Sequence, residues 1–388
     1  MNIVIITTLF PVHDPNNKNT KADYYLAKEW IKAGHKVAVL FAEGDLFFRN
    51  GLTVKKEEYF YDGISVFHLK YPRFIPRYQD PLLLTRDIIR RWALNCLNKT
   101  HFNKIDLFYC DFPAGNWTLI NYLKQRKEFS ISMFVPVFNN CDFYSKRKVK
   151  AILNKSHIVG VRSKAMQERI DSYKLQTKVF IVYSGVPKTA HKESELKVKS
   201  GKRPTKTMYA GDFITLKNVD ILIECFRTLA NKHSDLTLTL VGDGPEEKQL
   251  KQKVELYNLA DRVAFTGRMD RELVFKTMLD SDVFVMASSP ESFGIVYIEA
   301  MAAGCCVVAC QNEGIDGVIV DKLNGFLVKP RDVDNLAKVL DDYICMTNQD
   351  RIKLLTKSYE TAQGFSEKDV ATRVLDDIFY LFRAREEL

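Results

Sequence analysis

The chain has 388 residues, enough for two or three domains with cores of their own, so a single small module is excluded. Hydrophobic residues make up 46% and charged residues 27%, with no repeat or low-complexity bias, which sets aside disordered and fibrous classes. The net charge of +9 is local: Ser145 to Lys206 holds 17 Lys or Arg against 4 Asp or Glu, a segment of +13 that leaves the remainder at −4.

In chain order, Asn2 to Thr7 reads as a buried parallel strand, followed by a polar loop from Pro11 to Lys21. An amphipathic helix then runs to about Ala33, where Gly34 stops it, and Lys36 to Phe41 is a second strand. Apolar strands recur at Leu107 to Cys110, Ser132 to Val137 and His157 to Val161, each before a helix-compatible segment. Periodicity fails between Gly185 and Thr205, where Pro187, Gly201, Pro204 and many lysines mark a linker. A second series follows, with strands at Thr207 to Ala210, Leu236 to Val241, Arg262 to Phe265 and Val283 to Met286. Its helices are Asn218 to Leu229 and Glu246 to Tyr257. Near the end, Ser366 caps a helix whose Val370, Val374, Ile378 and Leu381 form an apolar stripe.

Such alternation predicts an α/β protein of two doubly wound, Rossmann-like domains. The boundaries are 1–186, a linker 187–205, 206–365, and a final helix 366–388 that crosses back to the first domain. Ligands of open α/β sheets bind at the carboxyl ends of the strands, so the site is expected in a cleft between the domains.

No stretch reaches the ~18 apolar residues of a membrane helix, and Met1 to Phe10 lacks a basic leader and a cleavage site, so a cytoplasmic, non-spanning chain is expected. None of the eight cysteines forms a Cys-x-x-Cys pair, which fits reduced, buried thiols. The seven histidines show no ligand spacing, and the sole Asp-x-Asp, Asp332-Val-Asp334, heads a helical pattern as capping carboxylates; no metal site is expected. A basic face attracts phosphates of nucleic acid, anionic lipid or a phosphorylated substrate, and a solvated surface explains the charge equally well.

The chemistry concentrates at Ser288-Ser-Pro-Glu-Ser-Phe-Gly-Ile-Val-Tyr-Ile-Glu-Ala-Met-Ala-Ala-Gly304. Ser292 is the expected N-cap of a helix that runs to Ala303. The free amides of Phe293, Gly294 and Ile295, aligned with the helix dipole, then make a phosphate site. Glu291 precedes the helix, and Glu299 lies more than a turn inside it, where a carboxylate accepts two ribose hydroxyls. Without further context, Glu291 is equally a loop acid beside a dipole and Glu299 part of a solvated stripe.

Glu291 and Glu299, within Pro-Glu-Ser-Phe-Gly-x4-Glu-Ala-Met-Ala-Ala-Gly, resemble the donor-site signature of family 4 glycosyltransferases of the GT-B fold. Ala33-Gly-His-Lys-Val39, Val182 to Pro187, Gly211 to Lys217, Val241-Gly-Asp-Gly-Pro245, Phe265-Thr-Gly267 and Asn324-Gly-Phe-Leu-Val328 fit in the same order. The resemblance covers the whole chain and is dense in the second domain. It implies a donor-binding second domain and an acceptor-binding first domain. By the same resemblance, Glu299 binds the ribose, Glu291 the sugar hydroxyls, and the amides of Phe293 to Ile295 the sugar and diphosphate. Gly211 and Lys217, an unpaired ammonium, serve the diphosphate, and Arg268 lies near the base.

The implied reaction is retaining, metal-independent transfer from a nucleoside diphosphate sugar, UDP-linked in preference to GDP-linked, to a hydroxyl. Retention ordinarily suggests a carboxylate nucleophile; in this family a front-face mechanism is the usual view, which gives Glu291 a sugar-positioning role. Three departures stand out. Asp212 occupies the usual Arg position, so another cation substitutes, or Asp212 turns away, or donor affinity is weak. The first loop lacks the common glycine pair and offers His13, Lys18 and Asn19. Asp111 stands where many members carry His.

Tyr71 to Tyr78 interleaves aromatic and basic residues, and Pro81 to Leu97 is both apolar and arginine-rich. This is either a membrane-interface segment or a core helix with a basic outer face. With the +13 segment, it points to a glycan or polyprenyl-diphosphate-linked acceptor at an anionic membrane surface, in cell-surface polysaccharide synthesis. The rivals are a phosphorylase or epimerase of the same fold, and a non-catalytic basic nucleic-acid or nucleotide-binding protein, for which no specific recognition motif is present.

Overall fold

The computed structural model describes residues 1–13, 22–46, 54–73, 83–111, 122–123, 130–138, 146–154, 156–187 and 203–386. The chain divides into two compact units. Met1–Arg162, Met166–Gly185 and Glu367–Leu388 form the first; Ser163–Ala165 and Val186–Ser366 form the second.

The first unit contains β1 (Asn2–Thr7), α1 (Ala22–Lys32), β2 (Lys36–Leu46), β3 (Lys55–Tyr61), β4 (Ile64–Arg73) and α2 (Leu83–Lys99). It continues with β5 (Lys104–Asp111), β6 (Ser130–Phe138), α3 (Lys146–Leu153), β7 (Ile158–Val161), α4 (Lys164–Asp171), which straddles the division, and β8 (Lys178–Ile181). The sheet order is β3-β4-β2-β1-β5-β6-β7-β8, parallel except for the β3–β4 hairpin. That hairpin turns at Asp62 and Gly63, with φ of +47° and +80°, which a two-residue Asp-Gly loop supplies. β1 is central, and Ile3 to Ile6 are fully buried because helices cover both faces of a parallel sheet. The final helix, Glu367–Glu386, buries Val370, Val374 and Ile378 and lies against α1, where Trp30 Nε1 donates to the Ala371 carbonyl at 3.0 Å. α2 uses its apolar side internally: Ile89, Trp92, Ala93, Cys96 and Leu97 are all buried in the core. The core-helix reading of this segment is therefore the observed one. Tyr71 is buried at the end of β4, and residues 74–80 lie outside the described residues.

The second unit contains β9 (Lys206–Ala210), α5 (Val219–Lys232), β10 (Thr237–Val241), α6 (Glu247–Leu256), β11 (Val263–Gly267), α7 (Arg271–Leu279) and β12 (Val283–Met286). α8 (Ile295–Ala302), β13 (Cys306–Cys310), β14 (Phe326–Val328), α9 (Val333–Ile344) and α10 (Asn348–Gln363) complete it. Its parallel sheet has the order β11-β10-β9-β12-β13-β14. Renumbered within the unit this is 3-2-1-4-5-6, the doubly wound order, whose direction reverses between β9 and β12. The loops leaving these two strands thus flank the one place where consecutive crossovers part, which opens a crevice at the carboxyl edge of the sheet.

Candidate active site

Three strand-end loops of the second unit are locked together by their backbones. Gly211 N–H donates to Val241 O (3.0 Å), Phe213 N–H to Asp243 O (2.7 Å) and Gly242 N–H to Gly267 O (2.9 Å). Only glycine permits this approach at residue 242: its φ is +140°, and a Cβ there would lie 1.9 Å from Gly211 O. Gly211, for its part, leaves room for the buried Tyr209, whose hydroxyl donates to the Asp212 carbonyl at 2.9 Å. Burial, followed by the Asp212 and Glu291 carboxylates, pushes the Tyr209 hydroxyl far up, so it stays protonated.

The Asp212 side chain points to Arg268. The guanidinium donates to Asp212 Oδ1 at 2.7 Å and to Asp243 Oδ1 at 2.6 Å. The cation expected near the base thus sits between two carboxylates, one of them Asp212. Hydrogen bonding to Asp243 leads the effects that hold Arg268 charged.

Across the crevice, the β12–α8 loop carries Glu291. Asn218, in left-handed backbone at the start of α5, joins the two sides by donating to Ala287 O at 2.7 Å. Glu313 then clamps the loop, accepting from Ser289 Oγ at 2.6 Å and from Glu291 N–H at 2.7 Å. Gly314 N–H donates to Glu291 O at 2.9 Å, and a Cβ on Gly314 would meet the Ser292 and Phe293 backbone within 2.4 Å. Glu291 itself accepts from Lys217 Nζ at 2.6 Å and from Ser288 Oγ at 3.2 Å. This corrects the expectation of an unpaired Lys217: β9 and β12 are neighbours, and the loops leaving them bring ammonium and carboxylate together.

The helix start also differs. The N-cap is Gly294, with φ of +76°, and α8 begins at Ile295, whereas Ser292 was the expected cap. The Glu291 side chain takes the Ser292 amide at 3.0 Å, and left-handed Gly294 cannot continue a helix back to residue 293. The first-turn amides left for a ligand are therefore Ile295 and Val296, since Tyr297 N–H donates to Gly294 O at 3.0 Å, while Phe293 is an anchor, buried and stacked on Phe365. Glu299 is nearly buried and accepts from Arg271 Nε, a partner that the sequence reading missed. Asp332 caps α9 by accepting from Asn335 N–H at 2.9 Å.

Of the acceptor-side residues, Lys18 and Asn19 lie outside the described residues. His13 Nε2 meets Phe60 O at 2.9 Å, and its ring packs on Tyr59 and Tyr61. Asp111 ends β5 in a buried cluster: Arg162 lies 3.0 Å from Asp111 Oδ2 and 3.5 Å from Asp23 Oδ1. Burial, then the Asp111 charge, pushes the Asp23 carboxyl well above the usual carboxylate range. Asp23 and Arg162 were not anticipated. The two sites sit in separate units: residues 211–299 in the second, His13 and Asp111 in the first.

Residues 190–353 match the family of glycosyl transferases group 1. Over 182 residues, the chain is 29% identical to the gpi3 subunit of phosphatidylinositol N-acetylglucosaminyltransferase from Schizosaccharomyces pombe, covering 44% of this chain and 39% of that one. It is 24% identical to alpha-monoglucosyldiacylglycerol synthase from Streptococcus pneumoniae, covering 58% and 53% of the two chains. The match spans about half or less of these curated relatives' own length. Among solved structures, sucrose-phosphate synthase from Thermosynechococcus elongatus aligns with a TM-score of 0.73 at 20% identity over 99% of each chain. Anabaena HepE, in complex with UDP and glucose, aligns with a TM-score of 0.69 at 19% identity, over 98% of this chain and 100% of that one. The second unit carries a domain of the glycosyl transferases group 1 family, in a chain that has the GT-B fold.

Proposed function

We propose that this chain is a glycosyltransferase that moves a sugar from a nucleoside diphosphate, UDP in preference to GDP, to an acceptor hydroxyl with retention. The observation that carries the reading is the switch point of the second sheet, where Glu291, the start of α8 and Lys217 converge. The group 1 match supports it, as does the UDP described in the HepE structure.

In this reading the α8 amides and Lys217 take the diphosphate. The bond to Glu291 occupies only one of the three ammonium protons, so the pair leaves Lys217 donors for phosphate oxygens as charge develops on the leaving group. Glu291 accepts sugar hydroxyls, and Glu299 exchanges Arg271 for the ribose hydroxyls. On the front face, the sugar C1–O bond to phosphate breaks, the acceptor oxygen bonds C1, and its proton passes to the departing phosphate oxygen. No divalent cation is required at the donor site in this scheme, and the acceptor is a glycan or polyprenyl-diphosphate-linked glycan, with the protein cytoplasmic and peripheral on an anionic membrane. Among the described residues no helix is long and apolar enough to cross a membrane.

The test is a thermal-shift panel of UDP, GDP, ADP, CMP and dTDP. A nucleotide at ~100 times its dissociation constant stabilises the native state by ~2.7 kcal/mol. UDP should win, and Glu291→Ala should abolish turnover while nucleotide binding persists. Full activity in that variant, or no stabilisation by any nucleotide, refutes the assignment.

A further inference from the structure

At the opposite edge of the second sheet, two helices end side by side. His233 directly follows α5, four residues before β10 begins, and so lies where the strands start. Glu291 and Gly211 lie where they finish, roughly 16 Å away along a five-residue strand. Asp341 and Cys345 are four residues apart at the end of α9 and therefore share one side of it. α5 and α9 pack together, and His233 Nε2 meets Asp341 Oδ1 at 2.7 Å. Lys232 Nζ holds the other carboxylate oxygen at 3.0 Å. Cys345 is exposed, in contrast to the other described cysteines, all of which are buried. One ligand atom from each of His233, Asp341 and Cys345 lies within 4.8 Å of the others.

We propose that His233, Asp341 and Cys345 bind one divalent transition-metal ion of the zinc type. A nitrogen, a carboxylate oxygen and a thiolate form a donor set for zinc, whereas magnesium and calcium prefer all-oxygen surroundings. In tetrahedral coordination such atoms stand about 3.3–3.6 Å apart, so side-chain shifts of about 1 Å complete three corners and leave the fourth to water. Binding displaces the proton between His233 and Asp341 and releases the Cys345 thiol proton. Lys232 keeps Asp341 monodentate by occupying its second oxygen. The ion staples the ends of α5 and α9 far from the donor site, so its role is structural. The ligands are 108 residues apart in sequence at the His233–Asp341 pair, which explains why histidine spacing gave no sign of them.

Cobalt titration of the reduced 388-residue chain tests this. One equivalent should produce a thiolate-to-cobalt charge-transfer band that zinc bleaches, and zinc should raise the melting temperature. Cys345→Ser should lose the band and the zinc-dependent shift, and His233→Ala should weaken cobalt binding more than tenfold. Because Cys345 is exposed, Cys345→Ser should melt like the wild type in chelator, which separates loss of metal from loss of fold. Absence of the band in the wild type, or its survival in Cys345→Ser, overturns the proposal.

Discussion

Gly294 and Gly304 stand at the two ends of α8 with the same φ, +76°. Alanine at either position accepts left-handed backbone, which costs about 1–2 kcal/mol. Their surroundings differ. A Cβ on Gly304 meets nothing within 4 Å, whereas one on Gly294 would lie 2.5 Å from the Tyr297 ring and 3.4 Å from Glu291 Cγ. The Tyr297 ring cannot give way easily, because it is buried and its hydroxyl donates to the Met286 carbonyl. Overpacking of that kind adds about 1–3 kcal/mol. Gly304→Ala is thus predicted to destabilise the second unit by about 1–2 kcal/mol and Gly294→Ala by about 2–5 kcal/mol. At about 2–4 °C per kcal/mol for a unit of this size, the shifts are about 2–8 °C and 4–20 °C. Calorimetry of both variants reads the difference, and turnover should fall much further in Gly294→Ala because the new methyl displaces Glu291. Equal melting shifts would show that the loop does not press on Tyr297, and the local geometry argued for Glu291 would fall with it.

Two further predictions follow from the charged clusters. At an assumed separation of about 8 Å, the charge of Asp212 repels a nucleotide phosphate by about 0.5–2 kcal/mol, so Asp212→Asn should tighten UDP binding about 2–30-fold at low salt and less at high salt. Calorimetric titration at two ionic strengths measures this, and an unchanged affinity would show that Arg268 already cancels the charge. In the first unit, the raised Asp23 carboxyl favours the folded state below the ordinary carboxylate range and loses that contribution as pH climbs through its elevated value. Asp23→Asn should therefore gain stability over the wild type progressively from about pH 4 upward. Trp30, Trp92 and Trp117 all precede residue 162, so tryptophan emission in urea follows this unit alone. A constant difference between the two proteins from pH 4 to 8 would contradict the upward shift of the buried Asp23 carboxyl.

The strand alternation that sets the fold was legible because each buried parallel strand is a short apolar run such as Ile3 to Ile6. Glu291 and Glu299 were legible because they share one continuous segment. The partners of these residues were not, since they come from distant positions: Lys217 is 74 residues from Glu291, and Arg268 is 56 from Asp212. The Ser292 cap failed for a local reason, competition from the Glu291 side chain for the amide that opens the turn. β3, Lys-Lys-Glu-Glu-Tyr-Phe-Tyr, escaped notice because an edge strand with exposed charges has no apolar run, yet the Asp62-Gly63 turn beside it was a usable sign.

Each unit holds cation–carboxylate pairs beyond the carboxyl ends of its strands, yet they differ in what they permit. In the first unit Arg162 has a side-chain exposure of 5% between Asp23 and Asp111. Removing one partner from such a buried pair leaves an uncompensated charge at about 3–5 kcal/mol. A ligand that had to displace Asp111 would meet that barrier, so the triad serves to fix the start of α1 against the ends of β5 and β7. In the second unit Lys217, Arg268 and Arg271 keep side-chain exposures of 22%, 43% and 38%. Water competes for the Arg268 pairs, whose carboxylates Asp212 and Asp243 are 56% and 45% exposed, and they contribute only about 0–1 kcal/mol. Glu291 and Glu299 keep only 10% and 11%, so a ligand that takes Lys217 or Arg271 must itself supply hydrogen bonds to those carboxylates. Cations that stay partly exposed at the carboxyl ends of the strands are thus what suits these pairs, and not the deeper triad, to a ligand that must arrive, react and leave.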